Sequence, residues 1–567
     1  MYKAGENRCQ LVLFPTHLDE MIPAEHTVRV IDAFVDGLDM EVLGFRKCRP
    51  AKTGTPPYDP KDLYKLYLYG YINHIRTSRR LDRECHRNIE VMWLINSLTP
   101  DFRTIADFRA FNKCALKRAF KLFVVILREE GLLGSELTVD GTKIRANNSI
   151  KKSFTPELTR KKLEYIEAQI AQFEAYLTDM DAREAERGAI DIEIPKEGVP
   201  QKLEDLKRRA GKYRAYQKRF AEGETQILET DPECRTLHSK DGLHPAYNIQ
   251  TVVDTKNHFI TNYETTTANT DQNQLSVMGE TAKSELHRDV VHLIADKGYD
   301  SRADIEKCLM NGIIPDVGLK YDKDERVFNL EYIEPENGVS AEEIKQSTEP
   351  ENIRRCLHAG LLPACYEGTN ISVEVQKQEQ ISCFLRHADG RVTCPMGREL
   401  FKHRDLKYGV RYGSREACRT CPNRCTESKD AKTVSIGYNT NCVPILMYGN
   451  PKFPVQQIPA DAIISPNNHA LDRKKSAPQK VKLTIKKDTH RQQIRKETAE
   501  HPFGTIKWYH GAYWFLTRGK EKVSAEIALS YTGYNLIRAI NLTTPKNGDV
   551  PGILMRLKQR KWEKWIG

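Results

Sequence analysis

Two apolar runs, far apart in the chain, each end in an aspartate with a glycine close behind. Leu137, Thr138 and Val139 lead into Asp140-Gly141, and Val290 to Ala295 lead into Asp296-Lys297-Gly298. Apolar and β-branched residues at this density favour strands, and the second run reads as a strand buried on both faces. Aspartate is depleted in strands, so something must repay its placement. Taken singly, each reads as a turn aspartate bonding nearby backbone. Side by side at the ends of adjacent strands, two carboxylates repel by several kcal/mol in a poorly screened site unless a cation lies between them. The pair therefore predicts an α/β core whose strand ends offer hard oxygen ligands to a divalent metal.

A chain of 567 residues exceeds one ordinary core. Charged residues make up 29% against 39% hydrophobic, and the longest apolar run, Leu122 to Leu127, is far short of a membrane span. No membrane association is expected. The opening Met1-Tyr2-Lys3-Ala4-Gly5-Glu6 has no apolar signal core, so a cytoplasmic location is expected. The net charge of +11 is modest, but Lys and Arg concentrate at Arg76–Arg87, Lys143–Lys162, Arg473–Lys496 and Arg556–Lys564, blocks that suit a polyanion.

Taken in order, residues 1–130 read as an all-helical N-terminal domain. Asp59-Pro60 starts one helix, a second lies near Ile89–Leu98, and a third carries Ile105, Phe108, Phe111, Ala115, Phe120 and Val124 at helical spacing. Arg76, Arg79, Arg80 and Arg83 lie among these short helices, an arrangement like a helix-turn-helix DNA module. The α/β core is expected over 131–319 and 487–545. Within it, Leu163, Ile166, Ile170, Phe173 and Leu177, then Leu203, Leu206, Ala210, Tyr213 and Phe220, predict an antiparallel helical hairpin over 155–225. Residues 320–486 are irregular in pattern and read as a cysteine-bearing insertion, and 546–567 as a basic tail.

Fourteen cysteines without a secretory context argue for thiols or metal ligands. Cys394, Cys418, Cys421 and Cys425 could close a tetrahedral structural zinc site, with Cys383, His387 or His403 as substitutes and free buried thiols as the alternative. No G-x-x-x-x-G-K loop supports nucleotide hydrolysis. Trp508, Tyr509, Tyr513 and Trp514 are expected to pack in the core rather than stack on unpaired bases. A third acidic ligand is sought on the C-terminal helices. Glu500 is preferred because Lys507 lies two turns on, and Glu497 is its local competitor.

The order of parts resembles the DDE transposases of bacterial insertion sequences. The residues that carry the resemblance are Leu66 to Tyr71 with Arg79-Arg80-Leu81, Val139 to Lys143, Asp241-Gly242 with His244 to Tyr247, Ala295 to Tyr299, and Glu500 to Lys507. Related transposases often show Tyr-x2-Arg-x3-Glu-x6-Lys, whereas Gln493 and Lys496 stand at the first two positions here. The resemblance implies a ribonuclease-H-like mixed sheet, with Asp140, Asp296 and Glu500 holding two Mg²⁺ ions (Mn²⁺ as substitute). It implies cleavage at element ends and transfer of the freed 3′-OH to target DNA. Lys143, Lys297, Lys496 and Lys507 become phosphate contacts, and a homodimer or higher assembly on DNA ends is expected. The alternatives are an element-derived DNA-binding protein that no longer cuts, and a structure-specific nuclease without strand transfer.

Overall fold

The computed structural model describes residues 17–50, 53, 56–187, 199–239, 242–319, 324–334, 340–376, 379–423, 425, 432–448, 455–464, 480–545 and 550–560. The chain divides into two compact units, Met1–Ile305 with Pro315–Gly318 and Thr489–Gly567, and Glu306–Ile314 with Leu319–Asp488.

The first unit opens with six helices: α1 (Thr27–Asp36), α2 (Pro60–Ile72), α3 (Ser78–Cys85), α4 (Ile89–Leu94), α5 (Phe102–Phe111) and α6 (Lys113–Glu129). Asp59 caps α2 by accepting the Lys61 N–H, and Pro60 supplies the preset first turn. The single helix expected through Ile105 and Val124 is two. Asn112 interrupts it, donating to the Phe108 carbonyl at 2.8 Å and accepting the Arg46 N–H at 2.7 Å, so its side chain competes with the helical ladder.

There follow β1 (Glu136–Arg145), β2 (Ser153–Phe154), α7 (Pro156–Arg187), α8 (Val199–Ala221), β3 (Ile227–Leu228), β4 (Arg235–Ser239), β5 (Gly242–Asp254), β6 (Ile260–Thr266), α9 (Leu275–Leu286), β7 (Val291–Ala295), α10 (Arg302–Met310) and β8 (Ile313–Val317). The central sheet runs β4-β5-β1-β7-β8, with β6 also paired to β5. β1 is antiparallel to β5 and parallel to β7. Helices α7 and α8 bury Leu163, Ile166, Leu206, Ala210 and Tyr213 against Phe154 and Ile227, and the β2–β3 pair closes their base.

Besides Glu306–Ile314, which hold most of α10 and the start of β8, the second unit comprises β9 (Glu325–Glu331), α11 (Ala341–Gln346), α12 (Pro350–His358), β10 (Ile371–Val375), β11 (Glu379–Arg386), β12 (Val392–Thr393), β13 (Glu399–Leu406), β14 (Gly409–Gly413), α13 (Arg415–Arg419), β15 (Thr433–Gly437), β16 (Cys442–Tyr448) and β17 (Lys480–Lys486). It is not irregular. One antiparallel sheet runs β10-β17-β9, and a barrel-like one runs β15-β14-β13-β12-β11-β16. Its strands escaped the sequence pattern because many are short and mostly polar; β13 buries only Leu400.

The chain then returns to the first unit with α14 (Thr489–Gly504), a π-helical turn at Thr505–Tyr509, α15 (Lys520–Thr543) and α16 (Gly552–Gln559). Pro502 does not end α14; the ladder widens three residues later, at Thr505. Helix α15 joins the N-terminal helices to the sheet. Tyr531 lies edge-on to Phe120 of α6 and Tyr263 of β6, and its hydroxyl bonds Thr251 of β5 at 2.8 Å. Asn535 donates to the Ile260 carbonyl and accepts its N–H, standing in for a neighbouring strand. The expected tail holds a packed helix over part of its length. Ile553, Leu554 and Leu557 of α16 are buried, and Arg556 and Arg560 pair with Glu130 and Glu129. Residues 561–567 lie outside the described residues.

Candidate active site

The register of β1 on β7 pairs Val139 with Ala295, so Asp140 and Asp296 follow side by side where that parallel pairing stops; Asp296 directly follows β7, whereas Asp140, expected at a strand end, lies inside β1, which runs on to Arg145 against β5. Asp140 feels the charge of Asp296. Its carboxyl is pushed up to about 6, first by burial and then by Asp296 and Asp271, against the pull of Arg495 and the Gly141 N–H. Arg495 reaches from α14 to 3.6 Å from Asp140, with side-chain exposures of 14% and 23% for the two residues. Asp296 accepts the Gly298 N–H at 2.7 Å and so caps the short 3₁₀ turn behind β7.

Asp271, in the loop before α9, is the acidic neighbour that the sequence reading missed. Its Oδ1 accepts from Asn248 at 2.9 Å and Gln250 at 2.7 Å, two amides on one face of β5 that are fully buried. The buried Tyr299 hydroxyl donates in turn to Gln250. An Asn-x-Gln alternation inside an otherwise apolar strand is the signal that could have found this network, because buried amides need partners. Glycine at 141 makes the approach possible. A Cβ there would lie 2.5 Å from Asp271 Oδ1 and 2.6 Å from Gln250 Nε2. Gly141→Ala is therefore expected to cost about 1–3 kcal/mol through overpacking, read by denaturant unfolding. Unchanged stability would mean that the network yields freely.

Helix α14 lies along the strand ends. Arg491 pairs with Glu136 at 3.1 Å, and Gln492 donates to the carbonyls of Ala295 and Asp316. Glu500 is exposed on this helix, about 7.5 Å of helical rise beyond Arg495 at the 1.5 Å per residue of an α-helix. The charge of Glu497 is felt by His258. Among the described residues, no three His, Cys, Asp or Glu side chains stand close enough to enclose a metal ion. The donor chemistry nevertheless fits magnesium, which commonly takes one or two carboxylates and completes its shell with water and substrate phosphate.

Of the basic residues expected at DNA, Arg79, Arg80 and Arg83 are exposed on α3, and Arg79 lies over the Phe102 ring. Arg76 is corrected. It is buried, donating to the Gly511 and Trp514 carbonyls and to Glu526 at 2.6 Å, and has no free face for a phosphate. Lys297 and Lys496 are exposed, Lys507 is half-buried, and Lys143 donates to the His238 carbonyl at 2.7 Å. Residues 473–479 lie outside the described residues. The aromatic expectation is also corrected: Trp508 is 75%, Tyr509 64% and Trp514 52% exposed. Their loop is tied to the end of β1, where the Arg145 N–H donates to Tyr513 and the Phe515 N–H to Arg145. Ile506 and Phe515 are buried in the same stretch.

A mixed sheet of this order with two neighbouring carboxylates on its adjacent central strands, backed by helices, is a ribonuclease-H-like α/β core. Family comparison narrows the class. A transposase domain model (DUF772) matches residues 16–110, and two transposase DDE domain models match 224–359 and 461–540. The chain belongs to the DDE transposases. Asp296 and Glu500 fall inside the matched segments and Asp140 outside them. No curated relative matches the sequence. A cryo-EM structure of the piggyBac transposase synaptic complex with hairpin DNA aligns over 94% of this chain and 79% of that one, at 8% identity and a TM-score of 0.29, a likeness too loose to argue from. Among the described residues no helix is long and apolar enough to cross a membrane.

Proposed function

We propose that this chain cuts DNA at the ends of a mobile element and joins the freed 3′-OH to target DNA. The observation that carries the reading is the Asp140–Asp296 pair on adjacent parallel strands, held in a mutually repulsive state that a cation would relieve. Asp140 and Asp296 would hold magnesium, with Glu500 as the proposed third ligand once DNA is bound. When bound, the metal supplies Lewis-acid stabilisation for in-line displacement at phosphorus. Arg495 steadies Asp140, and Asp271, anchored by Asn248 and Gln250, sets the local field. Lys297, Lys496 and Lys507 are proposed phosphate contacts, as are Arg79, Arg80 and Arg83 of α3. A dimer or higher assembly would bring two element ends together.

The test is incubation with DNA carrying the sequences that flank this gene, in Mg²⁺ or Mn²⁺ and then in EDTA. Cleaved and joined products that EDTA abolishes are expected. Cleavage without joining would make the chain a nuclease, and binding without cleavage an element-derived DNA-binding protein. Trp508, Tyr509 and Trp514 extend the reading, as exposed rings beside the end of β1 suit stacking on unpaired bases at a cut end. Trp508→Ala is expected to weaken binding to ends with unpaired bases by about 1–3 kcal/mol while leaving duplex binding unchanged. Equal losses on both substrates, measured by fluorescence anisotropy, would remove the stacking role.

A further inference from the structure

In the second unit, Cys394, Cys418, Cys421 and Cys425 line one cavity of about 20 Å³, together with Phe384, Met396 and Leu400. We propose that these four thiolates hold one structural zinc ion, which pins the β12–β13 turn to α13. The cavity accommodates a single water-sized sphere, so it suits a lone ion and not an organic ligand.

The two halves of the site are preformed. Cys394 opens a tight turn, its N–H donating to the Arg398 carbonyl and its carbonyl accepting the Gly397 N–H, both at 2.8 Å, and Gly397 takes a φ of +72° to close it. The opposite half is the C-x2-C-x3-C segment leaving α13, where the Cys421 N–H donates to the Cys418 carbonyl. Arg398 joins the halves, donating to the Ala417 carbonyl at 2.9 Å and the Thr420 carbonyl at 3.0 Å. Across the cavity, Cys394 lies within electrostatic range of Cys418 and Cys421, and Cys425 of Cys418 and Cys394.

The substitutes that the sequence allowed are elsewhere. Cys383 points to the Gln456 and Gln457 carbonyls, His387 bonds Thr393, and His403 is exposed. The four sulfurs surround the cavity without closing into a metal-sized cluster among the described residues. Zinc binding requires the four sulfurs to draw in to Zn–S distances of about 2.3 Å. On binding, four S–H protons pass to solvent and four Zn–S bonds form. Lys432, on the cavity wall, and Arg398 offset the resulting negative charge.

The test uses the full chain, purified with reductant and without chelator, and reads zinc by plasma mass spectrometry. About one zinc per chain is expected, with mercurial titration of the thiols releasing it and cobalt replacement giving a tetrahedral thiolate spectrum. Cys421→Ser should lose the ion, whereas Cys114→Ser, at an exposed cysteine of α6, should keep it. The double variant Asp140→Asn, Asp296→Asn should also keep it, which separates this ion from any metal at the carboxylates and from the transposase reading. Zinc-free wild-type protein, a disulfide between any two of the four cysteines, or an octahedral cobalt spectrum would overturn the proposal. Should Cys421→Ser fail to fold, the mercurial release and cobalt spectrum of the wild type decide alone.

Discussion

Asp140→Asn is expected to abolish DNA cleavage and, in the same molecule, to stabilise the metal-free chain. Loss of a metal-holding carboxylate should lower the cleavage rate by about a thousandfold or more, roughly 4 kcal/mol of transition-state stabilisation. Asp296→Asn should do the same, and both variants should keep their affinity for DNA. The stability change follows from titration. Folding raises the Asp140 carboxyl to about 6, so its contribution is fully favourable below about pH 4 and is lost as pH rises through 6. Above pH 6 the ionised group is a buried charge among other carboxylates, and its penalty is up to about 3 kcal/mol. Asparagine removes that penalty. Unfolding in denaturant with EDTA at pH 8 should show the variant more stable than wild type, and at pH 4 the difference should vanish. Mg²⁺ should stabilise wild type at pH 8 and not the variant. A variant that cleaves normally would remove Asp140 from the site. One that is inactive but destabilised at pH 8 would mean that Arg495 pairing outweighs the repulsion.

Arg76→Ala should be among the most damaging single changes in the first unit. The guanidinium ties Glu526 of α15 to the backbone of the aromatic loop, through the Gly511 and Trp514 carbonyls. Glu526 is 2% exposed and also accepts the Leu516 and Thr517 N–H groups. Burial pushes its carboxyl up, but Arg109, Arg76 and the Leu516 N–H together hold it below the usual range, so it stays ionised. Removing one partner of such a pair leaves an uncompensated buried charge, at a cost of about 3–5 kcal/mol. Arg79→Ala and Arg83→Ala, by contrast, should change stability by no more than about 0.5 kcal/mol and weaken DNA binding in a salt-dependent way. Denaturant unfolding and binding at two salt concentrations separate the two kinds of arginine. Stable Arg76→Ala protein with a selective loss of DNA affinity would return Arg76 to the DNA surface. The same network makes truncation of residues 1–130 a poor test of recognition, since it would strip Phe120 and Arg76 from the packing around α15.

Both aspartates were legible because their signal is local: a run of apolar residues interrupted by one charge needs no knowledge of the fold to look anomalous, although that Asp140 lies inside its strand and not at its end was not. The helix start at Asp59-Pro60 was local too, as the cap lies within a few residues of what it caps. Asp271 was missed because its meaning depends on Asn248 and Gln250, whose amides it meets only when the loop after β6 comes back onto β5. Arg76 and Arg79 stand three residues apart in a basic block, yet one is buried against a glutamate of α15 and the other faces solvent. Sequence alone determined that this chain carries carboxylates that break two apolar runs, helical and mixed segments, and a spaced set of cysteines. Only the tertiary structure decided which charges are neutralised inside and which are left for a partner, because that depends on contacts between residues hundreds of positions apart.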